Sequence, residues 1–68
     1  MEESVRSRLF DEYRELGRRI DKLTEFIIGD KYDTLPEMDR LDLKEQLGYM
    51  EFYYKVLSRR TSRQCGNA

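Results

Sequence analysis

LDLKEQLGYMEFYYKVLSRR, running from Leu41 to Arg60, decides how this chain folds. Leu43, Leu47, Met50, Tyr54 and Leu57 recur every three or four residues, which lines them along one side of a helix. Gln46, Tyr49 and Tyr53 form a second line beside the first, large and flat but polar. A helix with one apolar stripe must pack against another element, and the adjoining phenol-rich stripe is a surface that can hold something.

The element it packs against lies upstream. Leu9, Tyr13, Leu16, Ile20, Leu23 and Ile27 follow one another at spacings of 4, 3, 4, 3 and 4. That is a heptad seam, the pattern of helices crossing at a shallow angle. Val5, Phe10 and Phe26 lie beside the seam and widen it, which suits contact with more than one partner helix. Glu2, Glu3 and Ser4 open this helix, with acids at its positive dipole end. Gly29 follows the last seam residue and is expected to close it in the left-handed conformation. Pro36 pre-sets a new helical turn and drives Leu35 extended, making Leu35 the expected N-cap, while Thr34 with Glu37 spells a rival capping box one residue earlier. With so short a connection the helices must be antiparallel neighbours.

The expected fold class is therefore all-α: an antiparallel helical hairpin over residues 1–61, assembling into a homo-oligomeric helix bundle, dimer or tetramer. Its helices span about 2–28 and 36–60, with a linker at 29–35, and the polar residues 62–68 are expected to fray as a flexible tail. Leu9, Leu16, Ile20, Leu23, Ile27, Leu43, Leu47, Met50 and Leu57 are the expected buried set. Gly17 and Gly48 interrupt the two helices at roughly 1 kcal/mol each relative to Ala. Each is either a tolerated surface glycine or a point where a backbone or ligand comes close.

Self-association follows from size. Ordering 68 residues costs on the order of 100 kcal/mol, at roughly 1.5 kcal/mol per residue, and a two-layer hairpin buries little to offset it. Cys65 is the single cysteine and there is no histidine, which closes the disulfide and metal routes almost entirely. Charged residues make up 40% of the chain, yet the net charge is −1, with acids and bases interleaved as on solvated helix faces. A general duplex-DNA binder would be strongly basic, so DNA is not an expected partner. The N-terminal residues carry no apolar core of signal-peptide type, and Phe26-Ile27-Ile28 falls far short of a membrane span. A lone free cysteine fits a reducing compartment, and a cytoplasmic location is expected.

The residue inventory speaks against catalysis and against a cofactor. There is no glycine-rich phosphate loop and no histidine to complete an acyl-transfer or zinc constellation. Acid pairs such as Asp39 with Asp42 read as solvated helix faces. The aromatics say more. Tyr is ordinarily an interface residue, and Tyr54, on the apolar line, is expected in the core or an interface. Tyr49 and Tyr53 lie off that line with Gln46, where rings can stack on a base and an amide can read a polar edge. Arg59, Arg60 and Arg63 cluster at the end of the second helix. They complement the negative dipole end there, or grip a phosphate bidentately beside Arg6 and Arg8 of the first helix. Lys31-Tyr32 at the hairpin tip reads as loop solvation with Tyr32 capping the end of the bundle.

These residues also carry a resemblance. Ile20-x-Lys22-Leu23-x-x-Phe26-Ile27, then Lys31-Tyr32-x-x-Leu35, then Arg40-x-x-Leu43-x-x-Gln46-Leu47-x-x-Met50-x-x-Tyr53-x-x-Val56-Leu57-x-x-Arg60, resembles a family of short phage proteins related to a reading frame of a crAss-like phage. The match covers roughly residues 16–60 and departs where a capping Ser is usual and this chain has Pro36. Such proteins are similar to oligomeric anti-defence sponges, of anti-CBASS type, that sequester cyclic-nucleotide immune signals. The resemblance thus implies a phage protein that captures a cyclic oligonucleotide in the host cytoplasm without degrading it. Within the pattern, Arg40, Gln46, Tyr53 and Arg60 are polar positions that helix periodicity does not require. Together with Tyr49 and Arg59 they form the expected ligand-binding set. Two other functions compete: a helical interaction module that inhibits or adapts a host protein, and an RNA-binding hairpin dimer.

Overall fold

The computed structural model describes residues 2–64, with side chains from residue 5 onward. It is all-helical: α1 (Glu2–Ile28) and α2 (Glu37–Gln64) pack antiparallel, joined by a 3-10 turn over Asp30–Thr34. The hairpin is a rod of 47 × 17 × 15 Å. Its interior is a thin seam. Leu9, Leu16 and Leu57 are buried, and Tyr13, Ile20, Met50 and Tyr54 pack against them. Leu23, Ile27, Leu43 and Leu47 continue the seam, each half-buried. Every residue of the expected buried set thus points inward, though most are only partly covered. Of the residues beside the α1 seam, Phe10 is half-buried while Val5 and Phe26 are exposed.

The turn is built around Tyr32. Its ring is buried across the end of the hairpin, edge-on to Phe26 at 6.4 Å between centroids. Its hydroxyl donates to the Arg40 carbonyl at 2.9 Å, and Lys44 Nζ lies 6.0 Å from the ring centre. Tyr32 therefore ties the start of α2 to the end of α1, and Leu35 N–H donates to its carbonyl at 3.2 Å.

Three local expectations are corrected here. Gly29 is not left-handed: its φ of −88° and ψ of 174° are extended. It closes α1 by donating its N–H to the Phe26 carbonyl at 3.1 Å, and a Cβ there would sit 3.2 Å from the Glu25 carbonyl oxygen. Crowding by its own helix end is what favours glycine. The capping box does not form, because the Thr34 hydroxyl donates back to the Lys31 carbonyl at 2.6 Å. Leu35 is extended, as a residue before proline should be, but the first carbonyl to accept a helical bond is that of Pro36, from Arg40 N–H at 3.1 Å. Lastly, α2 runs to Gln64 rather than ending near Arg60. Thr61 continues the inward stripe from Leu57 and is buried, its hydroxyl satisfied by the Ser58 carbonyl at 2.9 Å. Residues 62–64 of the expected tail are therefore helical, and residues 65–68 lie outside the described region. No described helix is long and apolar enough to cross a membrane.

Candidate functional site

The phenol-rich stripe of α2 faces outward along one edge of the hairpin. Gln46, Tyr49, Tyr53 and Arg60 are all exposed, as helical spacing beside the Leu43–Leu57 line requires. Tyr53 is the member tied to α1: its hydroxyl donates to the Glu12 carboxylate. That bond pushes the Tyr53 phenol above its ordinary pKa, with burial and the Glu12 charge adding and Arg60 opposing. Tyr49 donates to Glu45 at 3.3 Å, and Gln46 turns its amide toward Met50 Sδ at 3.9 Å. Gln46, Tyr49, Tyr53 and Arg60 thus share one edge. Arg59 is exposed beside Arg60, about 100° further round the helix.

Arg40 is not part of this group. It lies twenty residues before Arg60 on the same straight helix, a separation of roughly 30 Å. There it is half-buried near the Tyr32 turn, its Nε enclosed without a hydrogen-bond partner among the described residues. One subunit therefore cannot bring Arg40 and Arg60 onto the same small molecule.

On the opposite edge the helices leave an open groove of about 640 Å³. Tyr13 and Tyr54 stack in it, 4.7 Å between centroids and 14° between planes. Gly17 makes room for them, because a Cβ at that position would stand 3.1 Å from Tyr54 Cε1. Close approach does occur at Gly17, but by the Tyr54 side chain rather than by the backbone or ligand expected there. Gly48 has nothing within 4 Å of such an atom. The Tyr54 hydroxyl and then Ser58 pull the Tyr13 phenol down, whereas contact with Tyr13, burial and the Asp21 charge push Tyr54 up. Asp21 and Glu51 line the same groove, so its charge is mixed. Arg14 and Arg18, also on this groove, are engaged at their tips by Asp11 at 2.8 Å and Glu15 at 2.9 Å. Glu12 and this groove are what residue spacing alone did not reveal. A hairpin folded about Tyr32 or Asp33 sets residue 12 opposite residue 53, which is the signal that points to Glu12.

Both edges offer aromatic faces, hydrogen-bonding groups and cations, the means to hold a flat polar ligand. Neither assembles a nucleophile with a base, and no described cluster of His, Cys, Asp and Glu has the grouping to hold a metal. A model of the Sequestin family matches residues 3–63, which takes in both helices and the turn. The chain belongs to the Sequestin family. Comparison with curated proteins and with solved structures gives no match. The family name fits a sequestering role, one of binding rather than catalysis, and accords with an edge of binding groups without reactive ones.

Proposed function

We infer that this Sequestin-family hairpin is a phage anti-defence protein that binds cyclic-nucleotide immune signals and holds them, undegraded, in the host cytoplasm. The observation that carries the reading is the family match over residues 3–63, since it covers every element that builds the exposed edge of α2. A cyclic dinucleotide has two flat bases and two phosphates about an approximate two-fold axis, so a symmetric pair of hairpins is a natural receptor. Each copy contributes Tyr53 or Tyr49 to stack on a base, Gln46 to read a base edge, and Arg60 or Arg59 to grip a phosphate. Stacking contributes roughly 1–3 kcal/mol per base. Charged hydrogen bonds add roughly 1.5–3 kcal/mol each. Two copies of each suffice for tight capture with no catalytic group.

The Tyr53 hydroxyl already engages Glu12, which holds the ring against α1 and pre-orients its face. The test is calorimetry with cyclic di- and trinucleotides and with cyclic ADP-ribose isomers. Tyr53→Ala and Arg60→Ala are expected to abolish binding of whichever ligand the parent takes, with helicity and assembly largely kept. If both variants bind as well as the parent, the site is elsewhere. A parent that binds none of the panel overturns the reading. The exposed Met38, Leu41 and Phe52 then favour a second one, an interaction module that docks on a host protein.

A further inference from the structure

Tyr53 and Glu12 meet at the surface, and their contact adds little to what joins the helices. Tyr53 is 41% exposed and Glu12 is exposed, whereas Leu9, Leu16 and Leu57 are the buried seam between α1 and α2. A polar contact between two exposed side chains contributes modestly, because water competes for both partners. What this one does is place a carboxylate of α1 at the hydroxyl end of a ring of α2. Tyr49 repeats the pattern more loosely, with Glu45 of its own helix at 3.3 Å. The two rings that stack on bases in the sequestration reading therefore both end at carboxylates. The cation Arg60 stands about two turns beyond Tyr53 along α2.

The Glu12 carboxylate has capacity to spare. Such a group accepts at two oxygens, with about four lone-pair sites, and the Tyr53 hydroxyl takes one of them. Among the described residues the ion pairs engage Asp11 and Glu15, not Glu12. A purine is larger than a phenol, so a base stacked on Tyr53 with its edge toward α1 reaches past the hydroxyl to Glu12. An acceptor-only group in that place has one chemical preference. It accepts from the exocyclic amino group that adenine and guanine carry on their Watson–Crick edges, and it repels a carbonyl or a phosphate set there. The same repulsion orients the ligand, with its phosphate away from Glu12 and toward Arg60.

We propose that Glu12 is a specificity-determining residue of this edge, its second oxygen accepting a hydrogen bond from the exocyclic amino group of the base stacked on Tyr53. The inference rests on the sequestration reading and adds the class of ligand to it. The captured base is an amino-bearing purine, adenine or guanine, rather than hypoxanthine or uracil.

Calorimetry with matched ligands tests it. Cyclic di-AMP, cyclic di-GMP, cyclic tri-AMP and cyclic ADP-ribose isomers are each compared with their inosine counterparts, which keep the purine ring system but lack the amino group. The parent should bind an amino-bearing ligand on the order of tenfold tighter than its inosine form, the worth of one hydrogen bond to a charged group. Glu12→Gln still offers Tyr53 an acceptor but replaces the second oxygen with an amide donor, and should bring that ratio close to one. Equal affinity of the parent for the two forms, or a ratio that survives Glu12→Gln, would overturn the inference and leave sequestration standing. A parent that binds no member of either series overturns both.

Discussion

Tyr53 and Glu12 meet although forty-one positions separate them in sequence. The carboxylate accepts a hydrogen bond from the phenol, so the neutral form of Tyr53 is favoured in the fold and its pKa rises above the ordinary value of about 10. A raised folded-state pKa means that this contact stabilises fully below about pH 10 and is lost as pH climbs through the elevated value. Alkaline absorbance titration of Glu12→Gln should therefore show one phenol returning toward its ordinary range; an unchanged titration curve would contradict the contact. The two mid-helix glycines give a second contrast at this scale. Gly48→Ala adds a methyl into open space and should stabilise by roughly 0.5–1 kcal/mol in urea unfolding. Gly17→Ala sets its methyl 3.1 Å from a Tyr54 ring already stacked on Tyr13, and should return less than half of that gain. Composition could not separate these two residues. The difference depends on which side chain of the partner helix lies opposite, and that is a matter of register.

At the level of elements, the helices were legible because their inward stripes obey a strict 4-3 spacing, and Leu9, Leu16 and Leu57 sit buried where that spacing puts them. The ends were less so. Gly29, Thr34 and the last turn of α2 each follow local hydrogen bonds that compete on nearly equal terms, and tertiary contact decides among them. Thr61 is inside because it continues the inward stripe one turn beyond Leu57, with its hydroxyl satisfied by the Ser58 carbonyl. Tyr32 is the clearest case: its hydroxyl bond to Arg40 and its edge contact with Phe26 lock the turn. Tyr32→Phe should cost roughly 0.5–1.5 kcal/mol by loss of one hydrogen bond. Tyr32→Ala should cost about 3–5 kcal/mol, comparable to removing a buried aromatic ring, and thermal melts of the two variants should differ accordingly. Leu57→Ala, at the most buried position of the seam, should cost roughly 2–5 kcal/mol.

As a whole the molecule is a rod with a radius of gyration of 15.3 Å, where a compact chain of its length would have about 11 Å. Such a shape maximises surface, and the surface is where its informative residues lie. The exposed edge of Gln46, Tyr49, Tyr53 and Arg60 was legible from helical spacing; the separation of Arg40 from Arg60 follows from length along the same helix. The Tyr13–Tyr54 groove was not legible, since the rings belong to different helices and meet only in the folded register. The family name fits binding rather than turnover, and sequestration without degradation is the central claim. It is tested most directly by mixing the intact chain with a panel of cyclic nucleotides, retaining the protein on a size-selective filter, then denaturing it by heat and identifying what it releases. The account predicts that one member of the panel is held back with the protein and comes off chemically unchanged. A panel that passes the filter freely, or a retained ligand released as a cleaved product, would contradict it.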